Sequence, residues 1–339
     1  MVTTVSPPTL DDVALRAGVS RMTVSNAYNH PDLLAVPTLT KVRSAAAELG
    51  YAGPSPVGRA LRRGRAGVIG LVTADPLSYL FSDPGAASWM HGLAAEAAEH
   101  DLSLQIIHAS GPAVAHKVAD SLVDGWIVYG VAVDDPAMAA VLERRQPMVT
   151  SPDPVGADAH CLRADIEGGV RAAIDHLISL GHEQLAVVTP PVQGPTWISR
   201  LAACRHAVEG NGRDWSSVTV VESEENARRA GAAVAAGLLV GVRPTAVFAA
   251  TDALALGVMD AAHVIGLRVP EDLSVIGFDD IDDAATASPP LTTIRQDLPA
   301  QGRLAGALVS TAAEGVAVRH VHPTELIVRA STALPPATS

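Results

Sequence analysis

The sequence predicts an α/β protein: an N-terminal helix-turn-helix head followed by two lobes, each built on a doubly wound parallel sheet. Three observations predict it. Two short, capped helical stretches flank a glycine turn near the start. From residue 66 onward, Val- and Ile-rich runs alternate with helical patterns, in two groups. Charge divides the same way. Residues 1–65 hold eight basic and four acidic residues, whereas the remainder holds 16 basic and 32 acidic, within a chain of net charge −12. A basic head on an acidic body directs the head, and not the body, toward a polyanion.

Length and composition set the frame. A chain of 339 residues suggests two or three domains. Hydrophobic residues make up 48% and aromatics only 3%, so the cores must be built from Ala, Val, Leu and Ile. The opening "MVTTVSPPTL" has no basic flank before an apolar run, so no signal peptide is expected. No apolar run reaches 18 residues, so no membrane span is expected. Cys161 and Cys204 lack metal-ligand spacing and make no disulfide framework. The expected location is the cytoplasm, with no cofactor and no metal.

Thr9 opens the head as a helix cap, with Asp12 three residues on to close a capping box. Leu10, Val13, Ala14 and Ala17 then share one helical face. Gly18 ends this helix, since it takes positive φ without steric cost. Ser20 caps a second helix over 21–28, with Val24 and Ala27 turned inward and Arg21, Met22, Ser25 and Asn26 outward. Two short helices around a tight turn make a helix-turn-helix, whose second helix can enter the DNA major groove. A third helix is expected over 38–49, with Thr38 its only cap and Gly50 its end.

Residues 53–65, "GPSPVGRALRRGR", read as a linker. Within it Ser55 and Pro56 suit the start of a short helix, and Val57, Ala60 and Leu61 share a face. Such a segment is too short to be stable alone. Gly58 weakens it by roughly 1 kcal/mol relative to Ala. Beyond it, the expected strands are "VIGLVT", "LSLQII", "GWIVYGV", "PMVT", "QLAVVTP", "VTVVE", "TAVFAAT" and "SVIGFD". Buried Val/Ile-rich strands separated by helices argue parallel sheets. Ligands bind beyond the carboxyl ends of such strands, so a cleft between two lobes is the natural site.

These segments together resemble the lactose-repressor/galactose-repressor (LacI/GalR) family. The likeness lies in "TLDDVALRAGVSRMTVSNAYN", "ELGY", "RALRRGRAGVIGLV", "HLISLGH", "RPTAVFAATDALALG", "GLRVPEDLSVIGFDD" and "SPPLTTIRQDL", and spans nearly the whole chain. The resemblance implies a periplasmic-binding-protein type I fold. Residues 1–52 would be the head and 53–65 the hinge. One lobe would comprise about 66–163 and 297–322, the other about 164–296 and 323–333, with a tail at 334–339. The chain would cross between lobes near "RAD", "RQD" and "VHP". The helix after "HASG" is about a turn shorter than the family pattern, a change that could touch the dimer face or the pocket floor.

The resemblance also implies roles. Arg21 and Met22, the two positions after the Ser20 cap, would read bases. Asn26 stands where the family usually has Arg. Thr23, Ser25 and Asn29 match phosphate-contact and helix-support positions, with Thr9 and Tyr51 completing the head's DNA side. In the hinge, Val57, Arg59, Ala60 and Leu61 would face the minor groove, Leu61 as an apolar wedge. Gly58 replaces a usual Ala, and Gly53 looks inserted. For the effector cleft the resemblance points to Phe81, Asp83, Tyr129, Trp197, Arg200, Thr251, Asp279 and Gln296. Arg200 brings a fork of donors and Asp279 accepts. The plainer alternative for that pair is an interlobe salt bridge.

The function so implied is that of a transcriptional regulator, most simply a repressor. A homodimer would bind a near-palindromic double-stranded operator under control of a small effector: a sugar, a sugar phosphate, or a nucleoside or purine. Two other classes fit the sequence less well. An enzyme would need a catalytic motif, and neither a P-loop, H-E-x-x-H nor G-x-S-x-G is present. A transport solute-binding protein would share the body but carry an export signal and no helix-turn-helix.

Overall fold

A computed structural model describes residues 7–54, 58, 60, 63–111, 113–151, 159–311 and 317–336. The chain forms two compact units that divide between Gly67 and Val68.

In the first unit, α1 spans Leu10–Ala17, α2 Arg21–Asn29 and α3 Val36–Leu49. The Thr9 hydroxyl accepts from the Asp12 amide at 3.3 Å, and the Asp12 carboxylate takes the Thr9 amide at 2.8 Å, a reciprocal box. Gly18 ends α1 at φ +60°. Ser20 caps α2 by accepting from the Thr23 amide at 3.0 Å. α3 starts two residues before the expected position. Its N-cap is Ala35 rather than Thr38, with Pro37 inside the first turn, where a missing N–H breaks no helical bond. Each helix contributes one fully buried valine, Val13, Val24 and Val42, packed among Ala14, Ala17, Ala27, Ala45 and Ala46. Burial of each valine stabilises the head by roughly 1.5–3 kcal/mol.

The second unit carries two six-stranded sheets. In chain order the strands are β1 Val68–Thr73, β2 Ser103–His108, β3 Gly125–Tyr129, β4 Met148–Ser151, β5 His160–Ala164, β6 Leu185–Thr189, β7 Thr219–Glu222, β8 Ala246–Ala249, β9 Ser274–Asp279, β10 Thr292–Arg295, β11 Arg319–His322 and β12 Glu325–Ile327. The orders are β11-β5-β4-β3-β1-β2 and β12-β10-β9-β8-β6-β7. The two sheets therefore repeat one doubly wound topology. Every pairing is parallel except β10 with β12. The chain passes from the first sheet to the second after β5, returns after β10, and passes over again between β11 and β12.

Four strands, β5, β10, β11 and β12, were not expected. They are short and polar ("HCLRA", "TTIR", "RHVH", "ELI") and sit beside the crossings. β3 ends at Tyr129, two residues before the expected strand does. The helix after β2 is short, Val114–Ala119.

The helices Pro84–Glu99 and Leu298–Thr311 cross closely in the first lobe. A Cβ on Gly92 would fall 2.0 Å from the Pro299 carbonyl, and one on Gly302 2.0 Å from that of Trp89. Only glycine permits this approach. It fixes the start of helix 84–99, and with it Asp83, against the crossing after β10. His182 is a satisfied core histidine, held by Thr245, Ser274 and the Ala333 carbonyl. Among the described residues no helix is long and apolar enough to cross a membrane.

Candidate functional site

The outer face of α2 is open. Met22 is 72% exposed, and the Arg21 guanidinium lies 3.4 Å from the exposed Asp11 carboxylate. An exposed surface ion pair of this kind contributes little and exchanges readily for another anion. Asn26 is half-buried, and its side-chain amide makes no hydrogen bond among the described residues. The Thr23 hydroxyl sits 2.9 Å from that of Ser20, and Asn29 donates to the Ser25 carbonyl at 2.6 Å. Thr9 and Ser20 are engaged as caps. Tyr51 packs on the head core, edge-on to Tyr28 at 5.8 Å. In the linker, Ala60 is helical, as are Gly58 and Arg63. Val57, Arg59 and Leu61 lie outside the described residues.

In the second unit, a cavity of about 600 Å³ opens beyond the carboxyl ends of the strands. Both sheets reverse strand order there, between β1 and β3 and between β6 and β8, which is where such sheets collect ligands. Asp83, Tyr129, Trp197, Arg200, Asp279 and Gln296 all line it.

Arg200 enters from the helix Pro195–Gly210 with only 5% of its side chain exposed. One guanidinium nitrogen donates to the Ala250 carbonyl, and the planar group lies 3.8 Å over the Phe278 ring and 5.3 Å from that of Trp197. Its Nη1 stands 3.8 Å from Asp279 Oδ1, a loose ion pair, and its buried Nε has no acceptor. Asp279 also accepts from Gln296 at 2.6 Å. Burial drives the Asp279 carboxyl well above the usual carboxylate range, with Arg200 opposing and Asp252 and Asp83 adding to the rise. Its backbone sits at φ +123°, where a side chain is strained, so the surrounding structure must hold it there.

Asp83 caps the helix Pro84–Glu99 through the Ala86 amide at 2.7 Å. Its other oxygen accepts from Asn226 at 2.9 Å. Burial raises its carboxyl too, against the hydrogen bond from Ala86. The hydroxyls of Tyr79 and Tyr129 are pushed up by burial and by neighbouring carboxylates, so both stay protonated donors near neutral pH.

Two expected residues stand elsewhere. Phe81 is 72% exposed and outside the cavity lining, because the short helix Tyr79–Ser82 turns Tyr79 inward and Phe81 outward. Thr251 is buried behind the lining, where it caps the helix Asp252–Val264 and donates to Asn226 at 2.6 Å. The helix Val114–Ala119 contributes nothing to the lining.

Among the lining residues not expected from the sequence are Asp75, Tyr79 and Asn226. Asn226, in the loop after β7, donates to Tyr79 and Asp83 at 2.9 Å each and so ties the lobes together. Nothing in "ESEENARR" distinguishes it from a solvated helix start. Asp75 had a usable signal, an Asp-Pro turn directly after the first strand.

Residues 9–53 match the model of bacterial regulatory proteins, lacI family, and residues 174–332 that of a periplasmic binding protein-like domain. The HTH-type transcriptional regulator Rv3575c of Mycobacterium tuberculosis is 36% identical, over 97% of this chain and 98% of its own. A crystal structure of the lac repressor dimer bound to operator and the anti-inducer ONPF superposes with a TM-score of 0.77 at 28% identity, covering 97% of this chain and all of that one. A complex of the transcriptional regulator CelR with cellobiose superposes with a TM-score of 0.70 at 29% identity, covering 96% and 99%.

Proposed function

The chain belongs to the lacI family of bacterial regulatory proteins and is a transcriptional regulator, not an enzyme; from that premise we propose a repressor that binds a near-palindromic operator as a homodimer and answers to a small polar effector in the interlobe cavity. In this reading residues 1–52 are the DNA-binding head, 53–65 the hinge and 66–333 the effector-binding and dimerising body. The observation that carries it is the presence in one chain of two features: an outward Arg21–Met22–Asn26 face on α2, and a polar cavity at the topological switch points. The solved operator complex of a lac repressor dimer and the cellobiose complex of CelR support the partner classes.

On α2, Arg21 and Met22 read bases, while Ser25 and Asn29 steady the helix. Asn26 takes the place of an Arg that would favour guanine. An Asn suits adenine through N6 and N7, so guanine is not demanded at that base pair.

Selection of binding sites from random DNA tests the proposal. The parent should recover two half-sites related by a two-fold axis, with affinity falling steeply as salt rises. Asn26→Arg should move one base per half-site toward guanine, by about 1–3 kcal/mol. Recovery of a single asymmetric half-site overturns the dimeric reading. An unchanged base preference removes Asn26 from the readout.

A further inference from the structure

Carboxylates dominate the cavity, and one of the two helix N-termini at it is already occupied. Asp75, Asp83, Asp279, Glu224 and Glu225 line it, against Arg200 as the one guanidinium in the lining. A phosphate site is normally made by backbone N–H groups at a helix N-terminus. Two helices begin at this cavity, Pro84–Glu99 and Pro195–Gly210. Both open on proline, which has no N–H. The first is filled by Asp83's own carboxylate, bonded to the Ala86 amide. The second, behind Gly194, has no side-chain cap but shares the lining with Glu224 and Glu225, which oppose an anion there. Arg200 is no substitute. It is held by the Ala250 carbonyl and Phe278, and flanked by Asp279. Its buried Nε, which has no partner, suits a neutral oxygen rather than an anion that would meet two carboxylates.

Most of these acids have partners. Asp83 holds Ala86 and Asn226, Asp279 holds Gln296, and Glu225 pairs with Arg229. Asp75 differs. It is half-buried beside Gly130, where a Cβ would come 3.9 Å from its Oδ2, and its carboxylate accepts no hydrogen bond among the described residues. The nearest basic ring, His108, places its Nε2 3.1 Å from the Ala74 carbonyl and its Nδ1 3.0 Å from the Ser110 hydroxyl.

We propose that Asp75 is a specificity-determining residue of this cavity, and that the cavity takes a polyhydroxylated ligand carrying a protonated amine while rejecting phosphorylated or carboxylated analogues. The proposal rests on the reading of the cavity as the effector site. Hydroxyls of the ligand meet Arg200, Gln296 and the protonated Tyr79 and Tyr129. The ammonium group sits on Asp75. Burial and the nearby Asp83 push the Asp75 carboxyl up, and a bound cation reverses that cost.

Calorimetry of the full chain with matched triplets tests this. Each triplet is a neutral sugar, its amino-deoxy form and its phosphate, on hexose, pentose and β-linked disaccharide skeletons. On the skeleton that binds, the amine should bind about tenfold tighter than the neutral sugar, as a charge-assisted hydrogen bond exceeds a neutral one. The phosphate should be at least tenfold weaker than the neutral sugar. Asp75→Asn should abolish the amine preference, bringing the ratio of amine to neutral-sugar affinity to about one. Phosphate binding as tight as neutral sugar overturns the proposal. So does an amine preference that survives Asp75→Asn, or silence from every triplet. Failure of the underlying reading looks different. In that case a compound that releases operator binds Arg200→Ala as well as parent.

Discussion

The head and the body meet their partners with oppositely prepared surfaces. On the head, the side chains proposed to read bases stand out from one short helix. Met22 has nothing over it, and Arg21 holds only an exposed aspartate. In the body, several polar groups at the cavity are already bonded to one another: Asn226 to Tyr79, Asp83 and Thr251, and Gln296 to Asp279. A partner of the head adds contacts to groups that water now solvates. A partner of the body must replace or complete contacts that protein groups already make. Mutations should therefore act on binding alone in the head, and on binding and stability together in the body.

A chain beginning at Ala66 should lose operator binding altogether, because the basic surplus and the α2 face go with the head. It should keep its fold and its ligand affinity, since the contact-rich unit starts at Val68. Gel shift and calorimetry read the two halves. Full operator affinity in the shortened chain would place DNA recognition in the body.

Next in size is the loss of the buried guanidinium. Arg200→Ala strips Asp279 of the guanidinium 3.8 Å away and removes the donor to the Ala250 carbonyl. Truncating one member of such a pair typically costs 2–5 kcal/mol in binding, partly because the other is left unpaired. Ligand affinity and body stability should both fall. Asp279→Asn keeps the shape and should weaken binding while sparing more of the stability. Parental affinity in both variants would mean that the pair is only a bridge between structural elements.

The same contrast explains what the sequence revealed. Head features are local. A cap, a glycine stop and a helical period lie within a few residues of each other, so Thr9, Gly18, Ser20 and the outward face of α2 were all legible. Arg200 and Asp279 were legible through the family resemblance, as was the cavity between lobes. Asp75 and Asn226 were not, because they lie 151 residues apart and become neighbours of one site only when two lobes fold. Phe81 was misplaced for a local reason: a four-residue helix, Tyr79–Ser82, decides which of two aromatics faces inward, and no sequence period is readable over so short a span. The strands β5 and β10–β12 hid because edge and crossing strands are short and need no apolar run.

Titration sharpens the comparison further. Asp252 is fully buried beneath the body's switch point, bonded to the Thr293 hydroxyl and the Ile281 amide, and burial pushes its carboxyl up to about 6. The folded chain thus holds that proton more tightly than the unfolded chain does. Its contribution to stability is full below about pH 4 and is lost as pH climbs toward 6. Asp252→Asn cannot titrate. Urea unfolding should show the difference between parent and variant moving in the variant's favour by about 2–3 kcal/mol between pH 4 and 7. A difference independent of pH would show that the carboxyl stays ionised in the folded body. In the head, Asp12 is exposed and shifts the other way, pulled down by its bonds to Thr9.

The smallest effect belongs to the head and concerns a cap that is missing. α3 begins at Val36 behind Ala35, which has the extended backbone of an N-cap, φ −61° and ψ 139°, but no side chain to accept a hydrogen bond. Pro37 carries no N–H, so the Val36 and Thr38 amides are the donors of the first turn, and Thr38 already reaches the Ala35 carbonyl at 2.9 Å. A serine hydroxyl at this exposed position can accept from Thr38, as Ser20 accepts from Thr23 in α2. Ala35→Ser should therefore stabilise the head by about 0.5–1 kcal/mol, toward the low end of a typical cap because one donor is absent. Hydrogen exchange of α3 amides in the full chain reads this gain as slower exchange in the head alone. Slower exchange in the body as well would mean that the two units do not open independently, and the comparison between them would have to be redrawn as one cooperative structure.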